Sequence, residues 1–280
     1  MPTIVDYNQV FIANIVQQPG MRKTGVNESL VRHMVLNSLR SYRNKFSGTY
    51  GELVIACDNR NYWRKQIFPF YKAHRKKTRE TSDLDWNEIF QCLNGIKSEL
   101  RAVFPYKVLE CESVEADDII ATVCNIDTEP TMILSGDKDF VQLQALPHVK
   151  QYSPVLKKQL MEDDPKKFLH AQILKGDRGD GIPNFLSKDD VFVSGGRQKP
   201  LSSKKLNVWL EQEPEVFCDY EMLRGYQRNK SLIDLNEIPE PIKELISEQY
   251  RTYECNDRSK LFNYFIEKRL RNLTDSIGDF

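Results

Sequence analysis

A chain of 280 residues carries 40 basic and 40 acidic side chains, so its formal charge at pH 7 is zero. That length buries a substantial core, as one large domain or a domain with an appendage, and the neutral total taken alone argues against a nucleic-acid binder. No apolar run approaches the ~20 residues of a membrane span and no signal-peptide pattern opens the chain, so a soluble protein with no membrane partner is expected.

The layout of charge matters more than its sum. Bases gather between Arg64 and Arg79, while acids gather in Glu115-Ala116-Asp117-Asp118 and Asp137-Lys138-Asp139. A polarised layout suits a protein that holds metal ions in one place and phosphates in another. The six cysteines, Cys57, Cys92, Cys111, Cys124, Cys218 and Cys255, show no Cys-x-x-Cys spacing. They read as reduced core residues of an intracellular protein.

In chain order, Thr3-Ile4-Val5 is a short β-prone run ending at Asp6, followed by Val10, Phe11, Ala13 and Ile15 at helical spacing. Asn27 caps a second helix carrying Leu30, Met34, Val35 and Leu39. Leu53 to Cys57 is an apolar strand that ends in Asp58. The arrangement recurs at Tyr106 to Leu109, ahead of Glu115, and at Thr131 to Leu134, ahead of Asp137. Strands apolar throughout and separated by helices predict an α/β fold whose central, mostly parallel sheet is covered by helices on both faces. Ligands of such sheets bind outside the carboxyl ends of the strands, so Asp6, Asp58, Asp117 and Asp137 should converge on one edge.

An acid after a strand is also a good helix N-cap, and any one of these positions is explained that way. Together they supply more acids than caps require. Two carboxylates ~4 Å apart at an effective dielectric of about 20 repel by roughly 4 kcal/mol, so convergence calls for protonation or bound cations. Oxygen donors without His or Cys point to Mg²⁺ or Mn²⁺ rather than zinc.

Between Asp58 and the third strand, Tyr62, Trp63, Phe68, Phe70 and Tyr71 alternate with Arg64, Lys65, Lys72, Arg75, Lys76, Lys77 and Arg79. That composition suits a surface that neutralises phosphates and stacks on bases, and it reads as a partly mobile excursion above the sheet edge. A solvated basic helix face is the plainer alternative. Lys175 to Asn184 is a Gly/Asp-rich turn in which Asp177 and Asp180 could face the cation site. Ser194 to Pro200 is a loop by composition, and beyond Leu201 the pattern is helical with little visible chemistry.

On these residues the chain resembles the metal-dependent 5′-nuclease (flap endonuclease) superfamily, most closely its ribonuclease H branch from T-even bacteriophages. Four motifs stand in family order: Tyr-Lys-Ala-x-Arg at Tyr71 to Arg75, Glu-Ala-Asp-Asp at Glu115 to Asp118, Asp-x-Asp-Phe at Asp137 to Phe140, and Gly-Asp-x-x-Asp at Gly176 to Asp180. The resemblance implies a PIN-like nuclease core over residues 1–185 with a basic arch at about 62–85, and a helical duplex-binding region over 186–280. It implies Asp6, Asp58, Glu115 and Asp117 around a first metal, Asp137, Asp139 and Asp180 around a second, and Asp118 and Asp177 as further acids acting through water. Lys72 and Arg75 match arch bases at the scissile phosphate; Arg64, Tyr71, Lys76, Lys77 and Arg79 are expected to contact nucleic acid with them.

Two Mg²⁺ ions, replaceable by Mn²⁺, would serve 5′ to 3′ hydrolysis of RNA·DNA and DNA duplexes having a free 5′ end or flap. Primer removal in the cytoplasm of an infected host cell is the implied role of a monomer, with a single-stranded DNA-binding protein and a sliding clamp as implied partners. After Ile182-Pro183 the cellular members continue Gly-Ile-Gly-x-Lys, whereas this chain has Asn184 to Lys188. That departure touches the duplex grip and the potassium ion implied there, and leaves the acid site alone. A PIN-like single-strand ribonuclease and a catalytically inert duplex-binding protein are the rival readings.

Overall fold

The computed structural model describes residues 1–18, 20 and 25–280. Six strands form one sheet in the order β3-β2-β1-β4-β5-β6: β1 Thr3–Asp6, β2 Leu53–Ala56, β3 Lys107–Leu109, β4 Thr131–Leu134, β5 Val149–Ser153 and β6 Lys158–Leu160. The first five are parallel. The sixth, β6, pairs antiparallel with β5.

Strand residues alternate between two cores. Val5, Leu53, Ile55, Val108, Met132 and Leu134 point into one cluster, while Ile4, Val54, Ala56, Leu109 and Ile133 point into the other. Helices α1 (Tyr7–Val16), α2 (Glu28–Tyr50) and α5 (Trp86–Val103) cover the first face, and α6 (Ala116–Ile126) covers the second. Burial on both faces is why these strands are apolar without alternation. Asn27 does cap α2, its Oδ1 accepting from the Leu30 N–H at 3.0 Å, and Asp85 caps α5 through the N–H groups of Asn87 and Glu88.

Between β2 and β3 the chain makes two short helices, α3 (Arg64–Ile67) and α4 (His74–Glu80). Lys72, at their junction, has φ 55°, a left-handed conformation that is uncommon outside glycine and gathers at functional sites. Its N–H donates to the Asp180 carbonyl at 2.8 Å. The arch is thus tied to the turn that follows α7 (Pro165–Lys175).

The remaining helices are α8 (Ser203–Trp209), α9 (Pro214–Phe217), α10 (Tyr220–Ile233), α11 (Glu240–Thr252), α12 (Leu261–Glu267) and α13 (Arg271–Thr274). They do not form a separate layer. Ile246 of α11 packs with α6 on the second face, and Leu261, Phe265, Leu273 and Phe280 complete the first core. Phe280 packs at 5.7 Å from the ring of Phe104 at the end of α5. Helices on both sides of residue 185 thus contribute to these two cores.

Candidate functional site

Asp6 to Ala56 and Val5 to Leu134 are register partners, so β2, β1 and β4 end level with one another. The chain runs outward from β1 through β2 to β3, then returns to the other side of β1 for β4. Such a switch in direction leaves a crevice outside the strand ends. The acids that follow these strands emerge there.

Asp6, Asp58, Asp117, Asp137, Asp139, Asp177 and Asp180 all line one cleft of about 1530 Å³, together with Lys72, Arg75 and Lys138. Several of them do cap helices: Asp6 Oδ1 accepts from Gln9 N–H at 3.1 Å and Asp137 Oδ1 from Asp139 N–H at 3.0 Å. Capping uses one oxygen. The other Asp6 oxygen accepts from the Ser135 hydroxyl at 3.0 Å, and Asp58 accepts from the Ala116 N–H at 2.8 Å and the Asn8 amide at 2.6 Å.

These bonds do not neutralise the cluster. Burial, then Asp58 and Asp137, push the Asp6 carboxyl up to about 7. Burial, then Asp137, raises Asp139 to about 7 as well. Asp117 rises for the same pair of reasons, burial first and Asp137 second. Each buried acid is thus held away from its charged form partly by its neighbours, which requires that they face one another.

Among the described residues no three acidic, histidine or cysteine side chains stand close enough to close around one ion as placed. The donor chemistry nonetheless suits a hard divalent cation. The acids are oxygen donors only, are mutually repelling and share one cleft, the condition that a bound cation relieves.

Some expectations need correcting. Asp118 is not a cleft acid: it is fully buried, accepts from the Glu115 N–H at 3.0 Å and from Trp63 Nε1 at 3.0 Å, and pairs with Arg64 at 2.8 Å. It shapes the start of α6 from behind the site. Arg64 is 2% exposed, bridging Glu115 at 2.8 Å and Asp118 while its Nε donates to the Leu232 carbonyl at 3.0 Å. Tyr71 is equally buried, with its hydroxyl 3.0 Å from Glu115 and 2.9 Å from Asp180. Neither faces a phosphate backbone. Trp63 and Phe68 are buried too, so these aromatics serve packing rather than base stacking. A basic run must still bury one face to stay folded, and here the aromatics with Arg64 do so.

Glu115 is buried between two cations, Arg64 and Lys72, the latter at 2.5 Å. Lys72 also lies 3.6 Å from Asp180, which pairs with Arg75 at 2.6 Å. Asp177 faces inward: one oxygen accepts from the Gly179 N–H at 2.7 Å and the other pairs with Lys138 at 2.8 Å. Lys76, Lys77 and Arg79 are exposed on α4. Arg79 lies over the rings of Trp86 and Phe90, at 5.5 and 5.0 Å.

Sequence reasoning missed the groups that orient the acids. Ser135 stands two residues before Asp137, just ahead of the Asp-x-Asp-Phe motif, and was readable in principle. Gln172, whose amide donates to Asp139, and Gln142, which donates to the Asp139 carbonyl at 2.9 Å and to that of Ile233 at 3.0 Å, gave no local signal.

Sheet, acid crevice and basic arch together define a nuclease of the 5′-nuclease class. The 5′-3′ exonuclease N-terminal, resolvase-like domain matches residues 4–172, and the T4 RNase H C-terminal domain matches residues 166–280. The chain belongs to the 5′-3′ exonuclease family, in the branch of T4 RNase H. Ribonuclease H of Enterobacteria phage T4 is 32% identical over 99% of this chain and 95% of its own length. Flap endonuclease Xni of Shewanella pealeana is 35% identical over 43% of this chain and 48% of its own. Among solved structures, the T5 D15 protein co-crystallised with metal ions superposes with TM-score 0.62 at 15% identity, over 90% of this chain and 99% of that one. A T5 D15 flap endonuclease pseudo-enzyme–product complex with DNA and metal ions gives 0.59 at 16%, over 89% and 98%. At such identity these two structures show the fold.

Proposed function

We propose that this chain is a divalent-metal-dependent 5′ to 3′ exonuclease with flap endonuclease activity. It hydrolyses phosphodiesters of RNA·DNA and DNA·DNA duplexes to remove RNA primers during phage DNA replication in the infected cell. The observation that carries this reading is the meeting of acids in one cleft at the carboxyl edge of the sheet, where burial first and neighbouring acids second push up the carboxyls of Asp6, Asp117 and Asp139. Family membership supplies the polarity and the substrate class.

Asp6, Asp58 and Asp117 with Glu115 would hold one cation, and Asp137 and Asp139 with Asp180 a second. Bound there, two Mg²⁺ or Mn²⁺ ions would acidify the attacking water and offset charge on the scissile phosphate and its leaving oxygen. Lys72 and Arg75 stand at the rim, where negative charge grows in the transition state. They are now paired with Glu115 and Asp180, so an entering phosphate competes for cations already in place. Arg79 continues the positive lining of the cleft, and Lys76 and Lys77 extend it outward to meet the backbone beyond the scissile position. Asp177 anchors the turn that carries Asp180.

The working form is read as a monomer, with a single-stranded DNA-binding protein and a sliding clamp as candidate replisome partners. A 5′-labelled RNA·DNA hybrid incubated with and without Mg²⁺ tests the reading. Short 5′-phosphorylated products only in the presence of metal are expected. Preferential cleavage of single-stranded RNA, or metal-independent products, would refute it.

A further inference from the structure

The segment after α7 turns its carbonyls inward. The carbonyl oxygens of Pro183, Asn184 and Ser187 and a carboxylate oxygen of Asp189 converge on one point. Converging backbone carbonyls are the chemistry that replaces the hydration shell of a potassium ion, and a potassium ion is what the family resemblance implies in this region. The residues here do not fit one, because the donor set is already filled from within.

Arg228, one turn before the end of α10, places its guanidinium at that point. Nη2 donates to Pro183 at 3.0 Å and Asn184 at 3.2 Å, and Nη1 to Ser187 at 3.2 Å and to Asp189 at 2.5 Å. Nε donates to Asn229 Oδ1 at 2.9 Å. Every N–H of a guanidinium is thereby used, and the side chain is 9% exposed. Asn229, fully buried, adds a bond to the Pro183 carbonyl at 2.9 Å and one to Ile173 at 2.7 Å. The close approach of α10 depends on Gly225, where a Cβ would stand 1.9 Å from the Phe185 carbonyl.

The same segment holds a second stretch in place. Asn184 N–H donates to Gln198 at 2.6 Å and its amide to the Lys199 carbonyl at 2.8 Å, while Lys199 N–H donates to the Ser187 hydroxyl at 2.8 Å. Lys188, Arg197, Lys199, Lys204 and Lys205 around it are exposed. The shape fixed by Arg228 is therefore the support of a basic face.

We propose that Arg228 is a built-in cation: it takes the place of a bound potassium ion, so that duplex binding by this face does not depend on the monovalent cation in solution. The proposal rests on the duplex-binding reading of this region. The test is fluorescence anisotropy of a labelled 5′-flap DNA duplex, with Ca²⁺ in place of Mg²⁺ to hold off cleavage, in potassium chloride and in tetramethylammonium chloride at equal ionic strength.

For the unaltered protein, Kd values within threefold of each other are expected. Arg228→Ala should bind at least tenfold more weakly in tetramethylammonium, and potassium should recover at least threefold by entering the vacated carbonyls. If that variant does not fold, Arg228→Gln, which removes the charge but keeps an amide donor for the carbonyls, carries the same comparison with the same expected direction. A wild-type Kd that weakens more than threefold without potassium overturns the inference. So does a variant loss that is absent, or equal in the two salts. No duplex binding in either salt would remove the nuclease reading and this inference with it.

Discussion

Asp117 and Asp137 follow different strands, yet Asp137, after burial, raises the carboxyl of Asp117 across the cleft. Asp137→Asn is expected to abolish cleavage while leaving duplex affinity within about threefold, since it removes a donor to the cation and no contact to the duplex. Filter binding beside product analysis checks this, and loss of binding with unchanged turnover per bound complex would contradict it. Lys72→Ala should slow single-turnover cleavage by about 10²-fold, as expected for removal of one preorganised donor, with little change in affinity. Arg64 has a different assignment. Arg64→Met leaves Glu115 and Asp118 buried without that partner, so urea unfolding should show a loss of roughly 3–5 kcal/mol, the usual result of breaking a buried pair on one side. An effect confined to affinity would return Arg64 to the surface role its neighbours in sequence suggest.

Elements are held against one another by close approaches that sequence patterns do not reveal. Helix α10 meets the chain at Phe185 through Gly225, and a methyl group there must push the two apart. Gly225→Ala should cost about 2–3 kcal/mol, the scale of an overpacked core, read as a lower urea midpoint. Unchanged stability would mean that the helix and loop move freely. The arch illustrates what is legible at this scale. Its position between β2 and β3 and its exposed bases on α4 were readable from composition. Which side chains turn inward was not, because Trp63, Arg64, Phe68 and Tyr71 lie in segments too short to establish a period.

For the molecule as a whole, the acid cluster links folding to pH and metal. Burial and neighbouring acids hold the carboxyls of Asp6 and Asp139 near 7, against about 4 in an unfolded chain. Between those values the folded, metal-free protein keeps protons that the unfolded chain releases, so stability falls as pH rises through about 4 to 7. The Tm of the chelated protein should therefore drop between pH 5.5 and pH 8. Millimolar Mg²⁺ should restore it at pH 8 far more than at pH 5.5, by roughly 1–4 kcal/mol for each such group. A flat Tm in both conditions would show that the acids do not act on one another.

What the sequence alone determined was the alternation of apolar strands and helices, and the acid after each strand, because burial on both faces demands one and the carboxyl edge of a parallel sheet collects the other. Tertiary structure decided which acids enter the cleft and which stand behind it, since Asp118 differs from Asp117 only in the direction it leaves α6. It also decided that Arg228 meets the carbonyls of Pro183, Asn184 and Ser187 across some forty residues of chain. Contacts between distant segments carry no local period, so only folding brings them together.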